Sequence, residues 1–471
     1  MAETRSLDPV VDATALTTLA VSDVMDPLWK LELAGWSAMS FTGGQTRPSR
    51  LATVLKHLIA SVIAILTLIW LSLRHRGTSA SEARALFSEA NSVFALHGEN
   101  STRTRHLRSA LAEAKLASKT VLLLGRPTSG TATAARALDP DNTLGKARFV
   151  RPVTLGSVFA GLPEAIRLLA RGAGEVSRFR GPIAFRALLA IDFRMALGSA
   201  HACWWRKAAT GLPVNSALFA HTGTADTSQL EQAMHAQSTR TVHLVHGTNI
   251  GWAFAGMSDV AVYPSGADAR LGAKLPAYGR CMHLPLERPA VAAGNGDWAL
   301  LTSYTHLQNP SFAKLGSRPD CELVEWVRAV ADSHGQDPAR VLWRPHPQID
   351  LVPDNERERL EQAVSEAGFT RWPADLPYAA LGEFSVAVSA PSTVLTDGLR
   401  LGQPVIIASL TPFQRDALYA SHPLLIESVT GLHEAIAQVT NPKLRQEAFV
   451  KAWRAIEPGD RLQIGPLLAQ I

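Results

Sequence analysis

From residue 214 onward, short apolar runs alternate with segments of helical spacing, and one aperiodic stretch divides the alternation in two. In the first series "NSALFAH" (215–221) reads as a strand, "TSQLEQAMHAQ" (227–237) as a helix, "RTVHLVHG" (240–247) as a strand and "SDVAVYPSG" (258–266) as a further short strand. Strand, helix and strand in succession make a βαβ unit, which needs a parallel sheet and a right-handed crossover. The divider, "PLERPAVAAGNGD" (285–297), is rich in Pro, Gly and Ala and reads as a linker. Beyond it come strand "WALLTSYT", helix "CELVEWVRAVADSHG", strand "VLWRPHP", helix "NERERLEQAVSEAG", strand "FSVAVSA", helix "TVLTDGLRLG" and strand "PVIIASL". "GLHEAIAQVT" and "PKLRQEAFVKAWRAI" follow as closing helices. The predicted fold class is therefore α/β, with two Rossmann-like doubly wound domains.

The chain before residue 214 is patterned differently. "SEARALFSEANSVFAL" (81–96) and "TRHLRSALAEAKLAS" (104–118) have helical spacing, and "KTVLLLG" (119–125) reads as a strand closed by Gly125. Pro163 to Lys207 reads as mostly helical, broken at Gly181-Pro182. Ahead of these lies "LIASVIAILTLIWLSL", Leu58 to Leu73, 16 uncharged residues with basic residues on both flanks. A spanning helix needs about 20 residues, or about 17 at the low end. The run therefore admits two readings, an inserted or interfacial helix and a buried one. The expected organisation is a helical N-terminal extension over 1–117 with a candidate membrane helix at 52–73, a first Rossmann-like domain over 118–288, a second over 297–440, and closing helices over 441–471.

Composition narrows this picture only in places. With 471 residues, 46% hydrophobic and 18% charged, the chain is long enough for more than one core and is not disordered in bulk. Cys203, Cys281 and Cys321 have no disulfide-framework or metal-ligand spacing, which points to a reducing compartment and a packing role. Residues 1–50 hold no apolar h-region, so no secretory signal is expected there. The net charge of +5 is unevenly spread: Lys146 to Lys207 carries eleven Lys and Arg against three Asp and Glu, an excess of eight. Such a stretch suits an anionic partner or a solvated basic face.

Three local patterns fall at strand ends, where open α/β sheets keep their ligand sites. In "HLVHGTN" (243–249) His246 ends a strand, and Gly247 permits the turn that would expose it. His243 lies three residues earlier, on the opposite face, and is expected to pack. A histidine at that strand end suits a general base. In "VLWRPHPQ" (341–348) Pro345 and Pro347 hold His346 extended, and Arg344 with His346 suits a diphosphate or sugar phosphate. In "SAPSTVLTDGLRLGQPVII" (389–407) Ser392 and Thr393 open a helix after an apolar strand, which offers amides and hydroxyls to phosphate, while Asp397 one turn on would orient the loop or a ribose. For each pattern the plain alternative is a structural one: a histidine bonded within its own loop, or an N-cap by Ser392.

Together, "HG" after a first-domain strand, "RPHP" after a second-domain strand and "SAPSTVLTDGLRLGQPVII" after the next resemble bacterial two-domain glycosyltransferases of the GT-B fold. The resemblance is to the capsule-polymerase and CDP-glycerol glycerophosphotransferase-like group, and to sialyl- and Kdo-transferases with a His-Pro and a Ser-Ser/Thr motif. It covers roughly residues 214 to 410. It implies an acceptor domain followed by a nucleotide-donor domain, with His246 as base and Arg344, His346, Ser392 and Thr393 on the donor phosphates; the candidate catalytic residues are His246 and His346, and Ser389 and Asp397 join the candidate donor contacts. That group often has "DYSS" where this chain has "SAPS", so Ser389 stands in an acidic position.

The expected activity is transfer of a sugar from a nucleotide-activated donor to a surface or capsular glycan, or to a lipid-linked one, at the cytoplasmic face of the inner membrane or in the cytoplasm. No metal and no cofactor is expected, a membrane surface is a candidate partner, and nucleic acid is not. The alternatives are a CDP-polyol phosphotransferase of the same fold and a non-catalytic glycan- or nucleotide-binding protein. A nucleic-acid binder using the basic stretch leaves the three strand-end patterns without a joint purpose. "GRPTSGT" (125–131) lacks the lysine of a phosphate loop, and "DPD" (139–141) reads as a surface turn rather than a metal motif.

Overall fold

The structure, a computed structural model of the 471-residue chain, describes residues 49–90, 92–96, 120–124, 148–178, 185–212, 214–219, 225–245, 258–273, 279–303, 316–346, 349, 352–410, 419 and 421–460. Two parallel sheets organise them. The first has strands β1 (Ser92–Leu96), β2 (Thr120–Leu124), β3 (Arg148–Val150), β4 (Ser216–Phe219), β5 (Arg240–Leu244), β6 (Val260–Tyr263) and β7 (Arg280–His283), in the order β3-β2-β1-β4-β5-β6-β7. The second has β8 (Trp298–Leu301), β9 (Val341–Arg344), β10 (Thr370–Arg371), β11 (Val386–Ser389), β12 (Ile406–Ala408) and β13 (Leu425–Ile426), in the order β10-β9-β8-β11-β12-β13. Both orders are the doubly wound 3-2-1-4-5-6 arrangement, the first with one strand added, and its direction of winding reverses between β1 and β4 and between β8 and β11. The expected fold class is the observed one.

One stretch needs correction. The helical reading of 81–96 holds only for α2 (Ala80–Phe87), and "SVFAL" is instead β1, paired on both sides with β2 and β4. The first sheet therefore begins at Ser92, inside the span expected to be a helical extension. The physical reason is that a strand covered on both sides is a continuous apolar run, which periodicity cannot tell from a buried helix. The segment at 104–118 and the Gly181-Pro182 break lie outside the described residues.

Helices α1 (Arg50–Arg74), α3 (Leu155–Arg178) and α4 (Phe185–Ala209) form a layer over the first sheet, with α5 (Ala225–His235) packed against α4. α4 is apolar nearly all round because it is covered on two sides. Its C-terminal half buries Trp204 and Trp205 edge-on to Phe87 of α2, and Trp204 Nε1 donates to Thr78 O at 2.8 Å. Its middle packs α1 and α3 instead, through Ile191 and Met195 against Ala60, Leu168 and Leu169. The pair joining α1 to α4 is buried: His57 Nδ1 lies 3.0 Å from Asp192 Oδ2, Ser61 Oγ donates to the same oxygen at 3.0 Å, and His57 Nε2 meets Leu169 O at 2.9 Å. Burial alone would push the His57 imidazole down, but Asp192 outweighs it and holds the ring above its ordinary value. α1 thus buries a stripe of Thr53, His57, Ala60, Ala64, Leu68 and Ser72. Its opposite stripe, Leu51, Leu55, Leu58, Val62, Leu66, Trp70 and Leu73, is exposed.

The second sheet is closed by conventional amphipathic helices, α7 (Arg318–Ser333), α8 (Asp354–Glu366), α10 (Val429–Thr440) and α11 (Pro442–Ile456). On one face Leu323, Val327, Leu360 and Ile436 pack on Leu300, Trp343 and Val388. On the other, Leu395 and Leu399 of α9 (Val394–Arg400) join Phe449 and Ile456. Between the sheets residues 284–297 carry neither helix nor strand and are held from the second side: the buried Arg445 donates to Ala292 O at 2.8 Å, to Phe384 O at 3.0 Å, to Gln403 Oε1 at 2.7 Å, and to Ser385 O. Gly402, at φ +78°, lets the chain pass Ala290 O, which a Cβ there would meet at 2.2 Å.

The chain then crosses back. α11 ends at Glu457, left-handed at φ 52°, and the segment after it pairs antiparallel with the first domain at Ser265↔Pro458 and Pro285↔Gly459. Gly266 N donates to Glu457 O at 2.8 Å and Gly459 N to Pro264 O at 2.9 Å. α6 (Gly266–Gly272) adds an ion pair from Arg270 to Glu457.

Candidate functional site

The second sheet brings three strand exits level. Across neighbouring strands Leu301 of β8 is in register with Arg344 of β9 on one side and Ser389 of β11 on the other. With strands about 4.8 Å apart, Arg344 and Ser389 stand roughly 10 Å apart with the exit of β8 between them. This is the point where the winding of the sheet reverses, where such sheets open a crevice. Backbone bonds knit the exits together, since Thr302 N donates to Arg344 O at 3.4 Å and Ala390 N to Leu301 O at 3.1 Å.

Arg344 is steadied from its own side of the sheet. Its guanidinium carbon sits 5.1 Å from the Trp372 ring centre and 4.6 Å from that of Tyr378. Two aromatic faces on one guanidinium restrict its rotamers. Trp372 is itself fixed, donating through N to Trp343 O at 2.8 Å and through Nε1 to Leu376 O at 2.9 Å. His346, two residues on, is half-buried, and burial pushes its imidazole below its ordinary value, so it is neutral at pH 7. Its carbonyl accepts from Ile349 N at 3.0 Å.

On the other side Ser389 is buried, its hydroxyl donating to Ala390 O at 2.7 Å and standing 3.4 Å from Ser392 Oγ. Ser392 Oγ accepts from Val394 N at 3.2 Å, and Ser392 O accepts from Tyr419 OH at 2.8 Å. Ser392 thus acts in a local turn, and Thr393 is the residue before α9, a helix of two turns. Asp397 lies on the first turn of α9. It pairs with Arg400 at 2.8 Å, and Arg400 donates to Gly459 O and to Pro264 O, each at 2.8 Å. The helix that opens at the strand exit is therefore tied to the crossing between the domains, and Asp397 serves that tie.

The structure thus groups Arg344, His346, Ser389, Ser392 and Thr393 at one end of the second sheet, with Asp397 one turn behind them. His246 lies outside the described residues, as do "GRPTSGT" and "DPD". His243 is in β5 between Phe219 and Ala261, where burial pushes it to about 3, so it is a packed neutral histidine. Sequence reasoning missed Thr302, whose hydroxyl accepts from Trp343 Nε1 at 3.1 Å, and Asp320, which takes Ser303 N at 3.2 Å just past β8. It also missed Trp372 and Tyr378, which carried no local pattern. Among the described residues no three His, Cys, Asp or Glu side chains are grouped so as to hold a metal ion. A hollow of about 440 Å³ lies beside the edge strand β13, lined by Pro423, Leu425, Glu427, Glu434 and Gln438, and contains none of the strand-exit residues.

No protein-family model matches the sequence, and no curated protein is similar to it. Among solved structures the chain is similar to MurG from Acinetobacter baumannii, with 10% identity and a TM-score of 0.42 over 81% of this chain and 100% of that one. It is similar to a UDP-GlcNAc 2-epimerase from Neisseria meningitidis bound to UDP-GlcNAc, with 9% identity and a TM-score of 0.42 over 80% and 98%. It is likewise similar to an α,α-trehalose-phosphate synthase (UDP-forming) from Burkholderia vietnamiensis, with 9% identity and a TM-score of 0.42 over 81% and 99%. The fold rests on the strand orders rather than on these likenesses: the chain is a two-domain α/β protein whose two parallel sheets are both doubly wound.

Proposed function

We propose that the protein is a glycosyltransferase moving a sugar from a nucleotide-activated donor to a glycan acceptor at the cytoplasmic face of a membrane. The observation that carries the reading is the level exit of β9, β8 and β11, with Arg344 on one flank and Ser389, Ser392 and Thr393 on the other. In this reading the donor diphosphate lies across the exit of β8. Arg344, pre-set by Trp372 and Tyr378, takes phosphate oxygens through paired N–H donors. His346 adds one N–H, and the hydroxyl of Thr393 another donor. As the bond from the anomeric carbon to the phosphate oxygen breaks, negative charge grows on the leaving nucleotide, and fixed donors there lower the barrier. His246 takes the acceptor's hydroxyl proton as the new bond from acceptor oxygen to anomeric carbon forms.

The test is nucleotide release from CMP-, CDP-, UDP- and GDP-activated donors with a mixed bacterial glycan, for the wild type and for Arg344→Ala, His346→Ala and His246→Ala. Release from one sugar donor, reduced about a hundredfold or more in Arg344→Ala, supports the reading and names the donor. Release only from a CDP-polyol makes the protein a polyol phosphotransferase, and nucleotide binding without release in any mixture makes it a binding protein.

A further inference from the structure

The helical layer carries a feature that donor chemistry does not use. α1 has one stripe locked to α3 and α4 by the His57–Asp192 pair, and the opposite stripe open along its whole length. Leu58, Val62, Leu66 and Trp70, spaced four apart, are 49%, 58%, 60% and 53% exposed. By length and composition α1 is long and apolar enough to cross a bilayer. A helix of 25 residues is about 37 Å long.

The charge of the layer is as one-sided as its surface. α1, α3 and α4 together carry ten Lys and Arg against three Asp and Glu, an excess of seven, in a chain whose total excess is five. All the rest of the protein is therefore net acidic by two. Arg50 and Lys56 sit at one end of the open stripe and Arg74 and Arg76 at the other, all exposed, with Arg74 stacked 5.2 Å from the Trp70 ring centre. An apolar stripe flanked by arginine, lysine and tryptophan fits the boundary between lipid headgroups and acyl chains.

We propose that the open face of α1 seats the protein on an anionic lipid bilayer, with the helix lying in the plane of the surface rather than crossing it. Crossing is excluded by the partners α1 is bound to. α3 exposes Arg167 and Arg171, α4 exposes Arg186, Arg206 and Lys207, and both helices would enter hydrocarbon with α1. α4 cannot be left behind, since Trp204 and Trp205 fix it to the first domain while Asp192 fixes it to α1. In the plane, the apolar stripe sinks about 5–10 Å and the basic ends stay at the phosphates. The inference is independent of the transferase reading, because it concerns a different face and is tested without a donor.

The test is flotation of the full chain with vesicles of phosphatidylcholine alone and of phosphatidylcholine mixed with phosphatidylglycerol, at low and high salt. The expected result is binding to the mixed vesicles about tenfold above the neutral ones, weakened by salt and released by alkaline carbonate, which strips surface-bound chains. V62E with L66E should lower binding about tenfold or more with an unchanged circular dichroism spectrum, and K56S with R74S should remove most of the salt-dependent part. Carbonate-resistant binding would mean that α1 spans and would overturn the proposal. So would a chain that ignores vesicles and sediments as a dimer dissolved by V62E, since a second copy would then cover the stripe. Failure to bind either vesicle as a monomer overturns it as well.

Discussion

The two domains share a strand order and differ in how they end. The C-terminal sheet is covered by helices with one apolar side each, so the core closes where α7, α8 and α10 turn polar. The N-terminal sheet is covered by α4, which is apolar on both sides and hands the requirement for burial on to α1 and α3. α1 does not close it, and nine of its large apolar side chains remain exposed. One topology can thus be finished as a self-contained domain or as a domain with a surface still to be covered. What decides is the period of the outermost helix, not the order of the strands.

The comparison is sharpest between two tryptophans of the helical layer. Trp205→Ala should cost about 3–5 kcal/mol in urea unfolding, because Trp205 is fully buried against Phe87, while Trp70→Ala should change it by less than about 0.5 kcal/mol. Equal effects would mean that the open stripe is covered in the free protein. Next come two of the buried charged side chains, Asp192 in the first domain and Arg445 in the second. Asp192→Ala leaves His57 buried beside an empty place, and Arg445→Ala leaves the carbonyls of Ala292, Phe384 and Ser385 without their donor. Each should cost about 3–5 kcal/mol, and a loss under about 1 kcal/mol for either would mean water replaces the side chain.

The His57–Asp192 pair also makes the first domain respond to pH. His57 titrates above its ordinary value when folded, and burial also pushes the Asp192 carboxyl up, so the folded pair binds protons more tightly than the unfolded one. The contribution of His57 is whole below its unfolded value of about 6.5 and is lost as pH rises through the higher folded value. Hydrogen exchange along α1 should therefore speed up, beyond its intrinsic rise, as pH climbs above neutrality, with α10 unaffected. The reverse order would invert the assignment. A smaller effect belongs to the C-terminal sheet: Thr302→Val strands the buried Trp343 Nε1 and should cost about 1–3 kcal/mol. Smallest is Arg328→Ala, which removes a surface pair with Asp332 and one bond to Ala367 O and should move stability by about 1 kcal/mol in thermal unfolding.

Legibility follows the same division. Strands β8, β9, β11 and β12 could be read because each is a short apolar run between helices whose period is 3.6, and Arg344, His346, Ser389 and Ser392 follow from where those runs stop; β10 and β13, two residues each, gave no such run. β1 was misread because "SVFAL" sits directly after a helix and is apolar without alternation. β7, "RCMH", gave no signal because it is a half-buried edge strand. Trp372 and Tyr378 could not be assigned to Arg344 because only the parallel pairing of β10 with β9 brings that part of the chain alongside. The pairing of Asp397 with Arg400, one helical turn away, carried no local signal either, because it gains its meaning from the bond Arg400 makes to Pro264 O of the first domain.

The double crossing between the domains has a mechanical meaning. A body attached at one point can swing in any direction, but one attached at two turns only about the line through both. Residues 284–297 are the first attachment, and the segment from Glu457 to Asp460, clamped to Pro264, Ser265 and Leu284, is the second. The two sheets are therefore hung like a door on two pins, and Arg400, on the helix that begins at the strand exit, grips the frame beside the second pin.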